Sequence, residues 1–227
     1  MVRVGPDVPL WRVGRESDPL SVDPRHQGSG RFDDPTHIVG VLYSADSLRT
    51  CLLELIAAWD DSPERRAIQS NIPDPTSEDE QRDAELDRSI AEKPRRVPPR
   101  LYERVWLSFV VDPQLEICNL LDVATRTRLA GDDAVMRELR RFGFVDLDRG
   151  AILAPHRSLT QAIAHAIMRS PSEGAGIFSA SRHDGNVVNL FVGGRFDPSF
   201  VQTTNPERLS ALNNDVIAVA RDLGLTP

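Results

Sequence analysis

Residues 28–54 read GSGRFDDPTHIVGVLYSADSLRTCLLE. A Gly-Ser-Gly turn delivers Arg31. A short apolar strand, Gly40–Tyr43, follows and ends on a tyrosine. Asp46 or Ser44 is placed to cap a helix. Leu48, Cys51, Leu52, Leu55, Ile56 and Trp59 then recur at i, i+3, i+4, i+7, i+8 and i+11, which is one continuous apolar stripe. At about 100° per residue, Glu54 lies roughly 120° from the centre of that stripe. Core burial of the helix therefore does not explain Glu54. It is either solvated or directed into a cleft beside the core.

Reading outward, residues 8–15 (VPLWRVGR) form a short edge strand with Trp11 inward. Residues 16–39 are rich in Gly, Pro, Asp and His and make an ordered loop, which at that length is usually functional. Downstream, Tyr102–Val111 and Leu115–Leu120 are strands joined by a turn at Asp112-Pro113. Asp132–Phe142 is a helix ended by Gly143. Ser158 caps another, with Leu159, Ala162, Ile163, Ala166 and Ile167 on one face. Gly176–Ala180 and Val187–Val192 pair through the turn signal Asp184-Gly185. A last helix starts at Asn205-Pro206, running over about 205–223. Strands and helices are interspersed without a βαβ rhythm. The class is therefore α+β, with a mixed, largely antiparallel sheet and flanking helices.

The chain of 227 residues suits one domain, 1–227, interrupted by a polar insertion at about 60–100. That segment is charged, proline-punctuated and nearly free of aromatics, so it does not contribute core; a short helix fits only around Glu80–Ala91. A net charge of −7 argues against a direct nucleic-acid partner, while a small anion can still be held by local arginines. Cys51 and Cys118 fall on apolar runs and read as buried thiols of a reducing compartment. The first residues lack a signal-peptide core, and no run approaches the ~20 apolar residues of a membrane span. A cytoplasmic protein with no membrane partner is expected.

Several chemistries find no support. There is no P-loop, Gly28-Ser29-Gly30 opens no helix with a third glycine, and no nucleophile elbow is present. The histidines are scattered, so no metal site is expected. The remaining candidates are Arg31, Tyr43 and Glu54. An arginine offers a planar fork to a pyrophosphate, an aromatic ring stacks on a cationic ring, and a carboxylate stabilises an oxocarbenium-like sugar. Together they suit a dinucleotide whose glycosidic bond is broken. Each also has an ordinary reading: Arg31 paired with Asp33 or Asp34, Tyr43 half-buried in structure, Glu54 solvated, Ser181 a turn serine.

The motifs resemble the RES-domain family, the toxins of Xre/RES toxin–antitoxin systems. The matching pieces are W-R at Trp11-Arg12, G-R-F-D at Gly30–Asp33, V-L-Y-S-A at Val41–Ala45 and L-L-E ending at Glu54. Downstream come G-I-F-S-A-S-R at Gly176–Arg182 and N-L-F at Asn189–Phe191. Ser179 stands where the family often has tyrosine, and the insertion exceeds the usual compact toxin. The resemblance implies an ADP-ribosyltransferase-like fold. It implies cleavage of the nicotinamide–ribose bond of NAD+, with phosphate or water as acceptor. The enzyme would be a NAD+ phosphorylase or glycohydrolase, with NAD+ as substrate, inorganic phosphate as co-substrate and no cofactor. By the same resemblance Arg31 grips the pyrophosphate or the phosphate nucleophile, and Tyr43 stacks near nicotinamide. Glu54 stabilises the ribosyl cation, Ser181 bonds a phosphate or the carboxamide, and Arg12 adds an anion contact. An Xre-type antitoxin is the implied partner. Two other functions fit the same residues: an ADP-ribosyltransferase acting on a macromolecule, and a non-catalytic nucleotide-binding module.

Overall fold

The computed structural model describes residues 2–3, 8–22, 28, 30–60, 96–112, 115–170, 174–192, 196–198 and 201–227. The strands are β1 (Val2–Arg3), β2 (Leu10–Arg15), β3 (Gly40–Ala45), β4 (Arg104–Val110), β5 (Glu116–Asn119), β6 (Gly176–Ala180), β7 (Asn186–Val192), β8 (Gln202–Thr203) and β9 (Glu207–Arg208). The helices are α1 (Leu48–Asp60), α2 (Val123–Ala130), α3 (Asp133–Arg141), α4 (Arg149–Leu153), α5 (Arg157–Arg169) and α6 (Asn214–Asp222). A 3-10 turn, Pro99–Glu103, leads into β4.

The sheet has the order β1-β5-β6-β7-β3-β2-β4-β8, with β9 also on β4. Among the named strands only β5 and β6 pair in parallel; the other strand pairings are antiparallel. The expected α+β class with a largely antiparallel sheet is the class observed. β2 is not the edge strand expected from sequence. It lies between β3 and β4, because its apolar residues are needed on both faces: Leu10 is buried among sheet residues, and Trp11 stacks against Trp106 at 5.4 Å.

Side chains alternate faces along a strand. Val41, Ile177 and Phe191 join α2, α3 and α5 in one apolar cluster. The alternate residues Leu42, Val188 and Leu190 fill a second, with Leu107, Phe109 and Ile117. The third joins α1 and α6 to the 97–102 segment through Leu52, Ile56, Leu101, Val216 and Val219. Each such aliphatic side chain contributes roughly 1.5–3 kcal/mol when fully buried.

α1 is capped by neither Asp46 nor Ser44. Ser47 Oγ accepts the Thr50 N–H at 3.0 Å. Ser44 Oγ donates to the Val188 carbonyl, and Asp46 accepts from Asn186 through Oδ2 and from the Thr50 hydroxyl through Oδ1, so neither is left for a backbone N–H of α1. α5 likewise draws no cap bond from Ser158, whose hydroxyl reaches Glu138 Oε2 at 2.5 Å. The C-terminal helix begins at Asn214, not near 205. Glu207 and Arg208 pair with Trp106 and Val105 of β4, and the Asn213 side chain supplies the cap to Asp215 and Val216. Asn205-Pro206 has the local signature of a helix start, but the exposed backbone of β4 competes and wins.

Of the insertion, 61–95 and its expected short helix lie outside the described residues. Its last part is tied down: Arg96 bridges Thr226 and Val97 is buried beside α6. No described helix is long and apolar enough to cross a membrane.

Candidate active site

Tyr43 stands opposite Asn189 of β7, and Asn189 stands opposite Ile177 of β6. The row beside it is Ala45, Val187 and Ser179. Because Ile177 faces α5, so do Tyr43, Asn189 and Ser179. That face of the sheet carries the site.

Arg31 is delivered to it by a loop fixed at both sides. Gly30 N–H donates to Asp33 Oδ2 at 2.6 Å. The Tyr43 hydroxyl donates to Asp33 Oδ1 at 2.7 Å and accepts the Phe32 N–H at 3.1 Å. Gly30 is required by close approach: a Cβ there would lie 2.0 Å from the Tyr43 hydroxyl. From the other side, Gln161 of α5 donates to the Gly28 and Gly30 carbonyls at 2.8 and 3.0 Å. Asp34 accepts the N–H groups of Thr36, Ile38 and Val39, takes the Thr36 hydroxyl, and lies 3.4 Å from His165 Nδ1. Burial alone would raise the Asp34 pKa, but the Thr36, Val39 and Ile38 bonds outweigh it and hold it at about 2. The aspartates expected to pair with Arg31 therefore serve the loop backbone instead.

Freed from them, Arg31 donates through Nη2 to the Ile152 carbonyl at 2.6 Å, with its guanidinium over the Phe32 ring. Arg182 donates to the next two carbonyls, Leu153 at 3.1 Å and Ala154 at 2.6 Å. Two cations thus sit on consecutive carbonyls at the end of α4. Carbonyl dipoles orient a guanidinium without cancelling its charge. Burial first, and then Arg182, lower the Arg31 pKa to about 10, against opposing pulls from Glu54 and Tyr43. At neutral pH Arg31 stays charged. Arg182 was not among the candidates read from sequence; its place in the S-A-S-R motif was the available signal.

Glu54 is half-buried, off the apolar face of α1. Its Oε1 accepts the Ser181 hydroxyl at 2.7 Å and the Arg182 N–H at 3.1 Å. Among the described residues both bonds fall on Oε1. Ser181 is itself set by its turn: its Oγ accepts the His183 and Asp184 N–H groups. Gly185 closes that turn with φ +75°, a conformation suited to glycine. Burial, with Asp33 adding to it, holds the Tyr43 hydroxyl well above its ordinary pKa, so it stays protonated.

The structure therefore brings Arg31, Tyr43, Glu54 and Ser181 to one place. It puts Arg12 to another use. Arg12 donates to the carbonyls of Pro19, Tyr43 and Ser21 at 2.7, 2.7 and 2.9 Å, and burial lowers its pKa to about 10. It clamps the 19–21 loop to β3 rather than presenting a fork to a ligand. Cys51 donates to the Trp11 carbonyl, and burial lifts its thiol to about 12, which withholds the thiolate that a nucleophile needs. Among the described residues no three His, Cys, Asp or Glu side chains are grouped to hold a metal.

Several side-chain atoms here are buried with no partner among the described residues: Arg31 Nε, Ser179 Oγ, and both Asn189 Oδ1 and Nδ2. An unmet buried polar group costs about 1–3 kcal/mol, so such a cluster needs a reason.

Residues 9–112 match the family model described as RES domain. The fold resembles a chain in the crystal structure of the M. tuberculosis MbcT–MbcA toxin–antitoxin complex. The TM-score is 0.51 at 17% identity, over 89% of this chain and 84% of that one. Among curated proteins none matches in sequence. The family read from the motifs is thus the family whose model matches. Arg12, Arg31, Tyr43 and Glu54 lie inside the matched span. Ser181, Arg182 and Asn189 lie outside it and are joined to it by the sheet.

Proposed function

We propose that this RES-domain chain is a toxin-like enzyme that degrades NAD+ at the nicotinamide–ribose bond, with phosphate or water as acceptor. One observation carries the reading: Glu54 has one oxygen fixed by Ser181 and Arg182, beside the cationic pair Arg31 and Arg182. In this reading the arginines take the pyrophosphate, and the free side of the Glu54 carboxylate faces the ribose. The C1′–N bond breaks and its electron pair leaves with nicotinamide, which becomes neutral. Positive charge develops on the ribose, where the carboxylate is worth most. A phosphate or water oxygen then bonds to C1′, and with water a proton is released. Tyr43 enters as a neutral phenol that holds the Arg31 loop and offers its ring to nicotinamide.

An antitoxin partner belongs to the same proposal. It is supported by the likeness in fold to a chain from a toxin–antitoxin complex.

The test is nicotinamide release from NAD+ by the purified chain, with and without inorganic phosphate, beside Glu54→Gln. Phosphate-dependent release that vanishes in the variant supports a phosphorylase. Phosphate-independent release supports a glycohydrolase. No release under either condition overturns the reading.

A further inference from the structure

Asn189 lies in the middle of the sheet, fully buried, with neither its amide nitrogen nor its amide oxygen bonded among the described residues. Ser179, also fully buried, has an unbonded hydroxyl. The register makes them diagonal neighbours on one face, since Ser179 opposes Val187 and Asn189 is two residues on. Tyr43 flanks Asn189 on its other side. The surrounding residues on that face, Ile177, Val41 and Phe191, are apolar. A single unmet hydroxyl is ordinary in a core. An amide with both ends unmet, beside an unmet hydroxyl and the Arg31 loop, is hydrogen-bonding capacity that the fold itself does not use.

We infer that Asn189, with Ser179, forms a subsite for a primary carboxamide, which on the reading proposed above is the carboxamide of the nicotinamide ring. Asn189 offers one donor and one acceptor side by side, and a primary carboxamide offers the complementary acceptor and donor. A carboxylate does not fit, because it has no proton for Oδ1 and brings negative charge against it. The Ser179 hydroxyl serves as donor or acceptor to the same group. The apolar neighbours and the Tyr43 ring suit the flat ring that carries the amide. The subsite would favour amide over acid, and so NAD+ over its deamidated analogue.

The experiment titrates nicotinamide and nicotinate separately into the full chain, for wild type, Asn189→Leu and Ser179→Ala, by calorimetry. Thermal midpoints are recorded alongside. Wild type should prefer nicotinamide by at least about tenfold, since a site built to hydrogen-bond a group rejects the analogue that cannot. Asn189→Leu should weaken nicotinamide by at least about tenfold and erase the preference, without lowering Tm, because an apolar isostere removes an unmet polar group. Ser179→Ala, the milder change, should weaken nicotinamide by roughly threefold or more. The inference is overturned if wild type does not bind nicotinamide, or if either variant keeps the wild-type preference and affinity. A fall in Tm of Asn189→Leu with the preference intact assigns the amide to structure and overturns it equally. Binding with preference but without NAD+ turnover would sink the proposed reaction and leave the subsite. Turnover of NAD+ and its deamidated analogue at equal kcat/KM would sink the subsite and leave the reaction.

Discussion

The Ser181 hydroxyl donates to Glu54 Oε1 at 2.7 Å, across 127 residues of chain. Glu54 belongs to a helix whose apolar side packs on α6, and Ser181 to the turn that follows β6. The bond, with that from the Arg182 N–H, engages Oε1 and sets the orientation of the carboxylate.

Glu54→Gln should lower the rate of nicotinamide release by at least about 10³-fold, since the charge that meets the developing cation is gone. Thermal stability should stay within about 2 °C, because the residue lies off the core face. Ser181→Ala leaves the charge and removes its orientation. A loss on the order of 10–100-fold in kcat with little change in KM is expected. Steady-state kinetics with calorimetric melting checks both; an unchanged Ser181→Ala rate would remove the orienting role.

The Tyr43 hydroxyl bridges Asp33 and the Phe32 N–H. Tyr43→Phe strands a buried carboxylate and a backbone donor at once. A destabilisation of about 1–3 kcal/mol follows from leaving such groups unmet. In urea it should shift the midpoint and leave the slope unchanged. A stacking role alone would leave Tyr43→Phe at wild-type stability, so the measurement separates the two uses of the ring.

Asp34 makes stability depend on acid pH. Its folded pKa is about 2 against an ordinary 3.8. A depressed carboxylate contributes stability that is present above the unfolded pKa and lost as pH falls through the folded one. The contribution is about 2 kcal/mol, lost between roughly pH 4 and pH 2. Asp34→Asn should be less stable than wild type at pH 6, with the gap closing across that window. Parallel pH–urea profiles for the two proteins would contradict the assignment.

Much of this was legible in the chain because local patterns agree with the final packing. The strand expected over Gly40–Tyr43 is found as Gly40–Ala45, α1 buries Leu48, Leu52 and Ile56 of its stripe, and Gly185 takes the turn conformation expected of Asp184-Gly185. Arg31, Tyr43, Glu54 and Ser181 lie near one another in the structure. The failures have one physical cause, competition from distant partners. Asn205-Pro206 lost to the open backbone of β4, Asp46 to Asn186, and Arg12 to three carbonyls. The helices Val123–Ala130 and Arg149–Leu153 start at the caps Asp122 and Asp148, but they are too short to show a periodic stripe. Asn189 was seen only as part of N-L-F, since one sequence cannot show that a buried amide lacks partners.

Gln161 tests whether the glycine loop must be held to work. Its amide donates to the Gly28 and Gly30 carbonyls and contacts the loop that carries Arg31. Gln161→Met keeps the volume and removes both bonds. Each bond is worth about 1 kcal/mol net, and the carbonyls can turn to water, so global stability should fall by no more than about 2 kcal/mol. The loop opens locally first, because local openings need less free energy than global unfolding. Amide exchange at Gly30 and Phe32, whose N–H groups bond Asp33 and Tyr43, should therefore quicken while exchange in β7 stays slow. Arg31 would then reach the site in a smaller share of molecules, which should raise KM for the anionic substrate several-fold with kcat less affected. Wild-type exchange at Gly30 and Phe32 in Gln161→Met would show that the Asp33 and Tyr43 bonds hold the loop on their own.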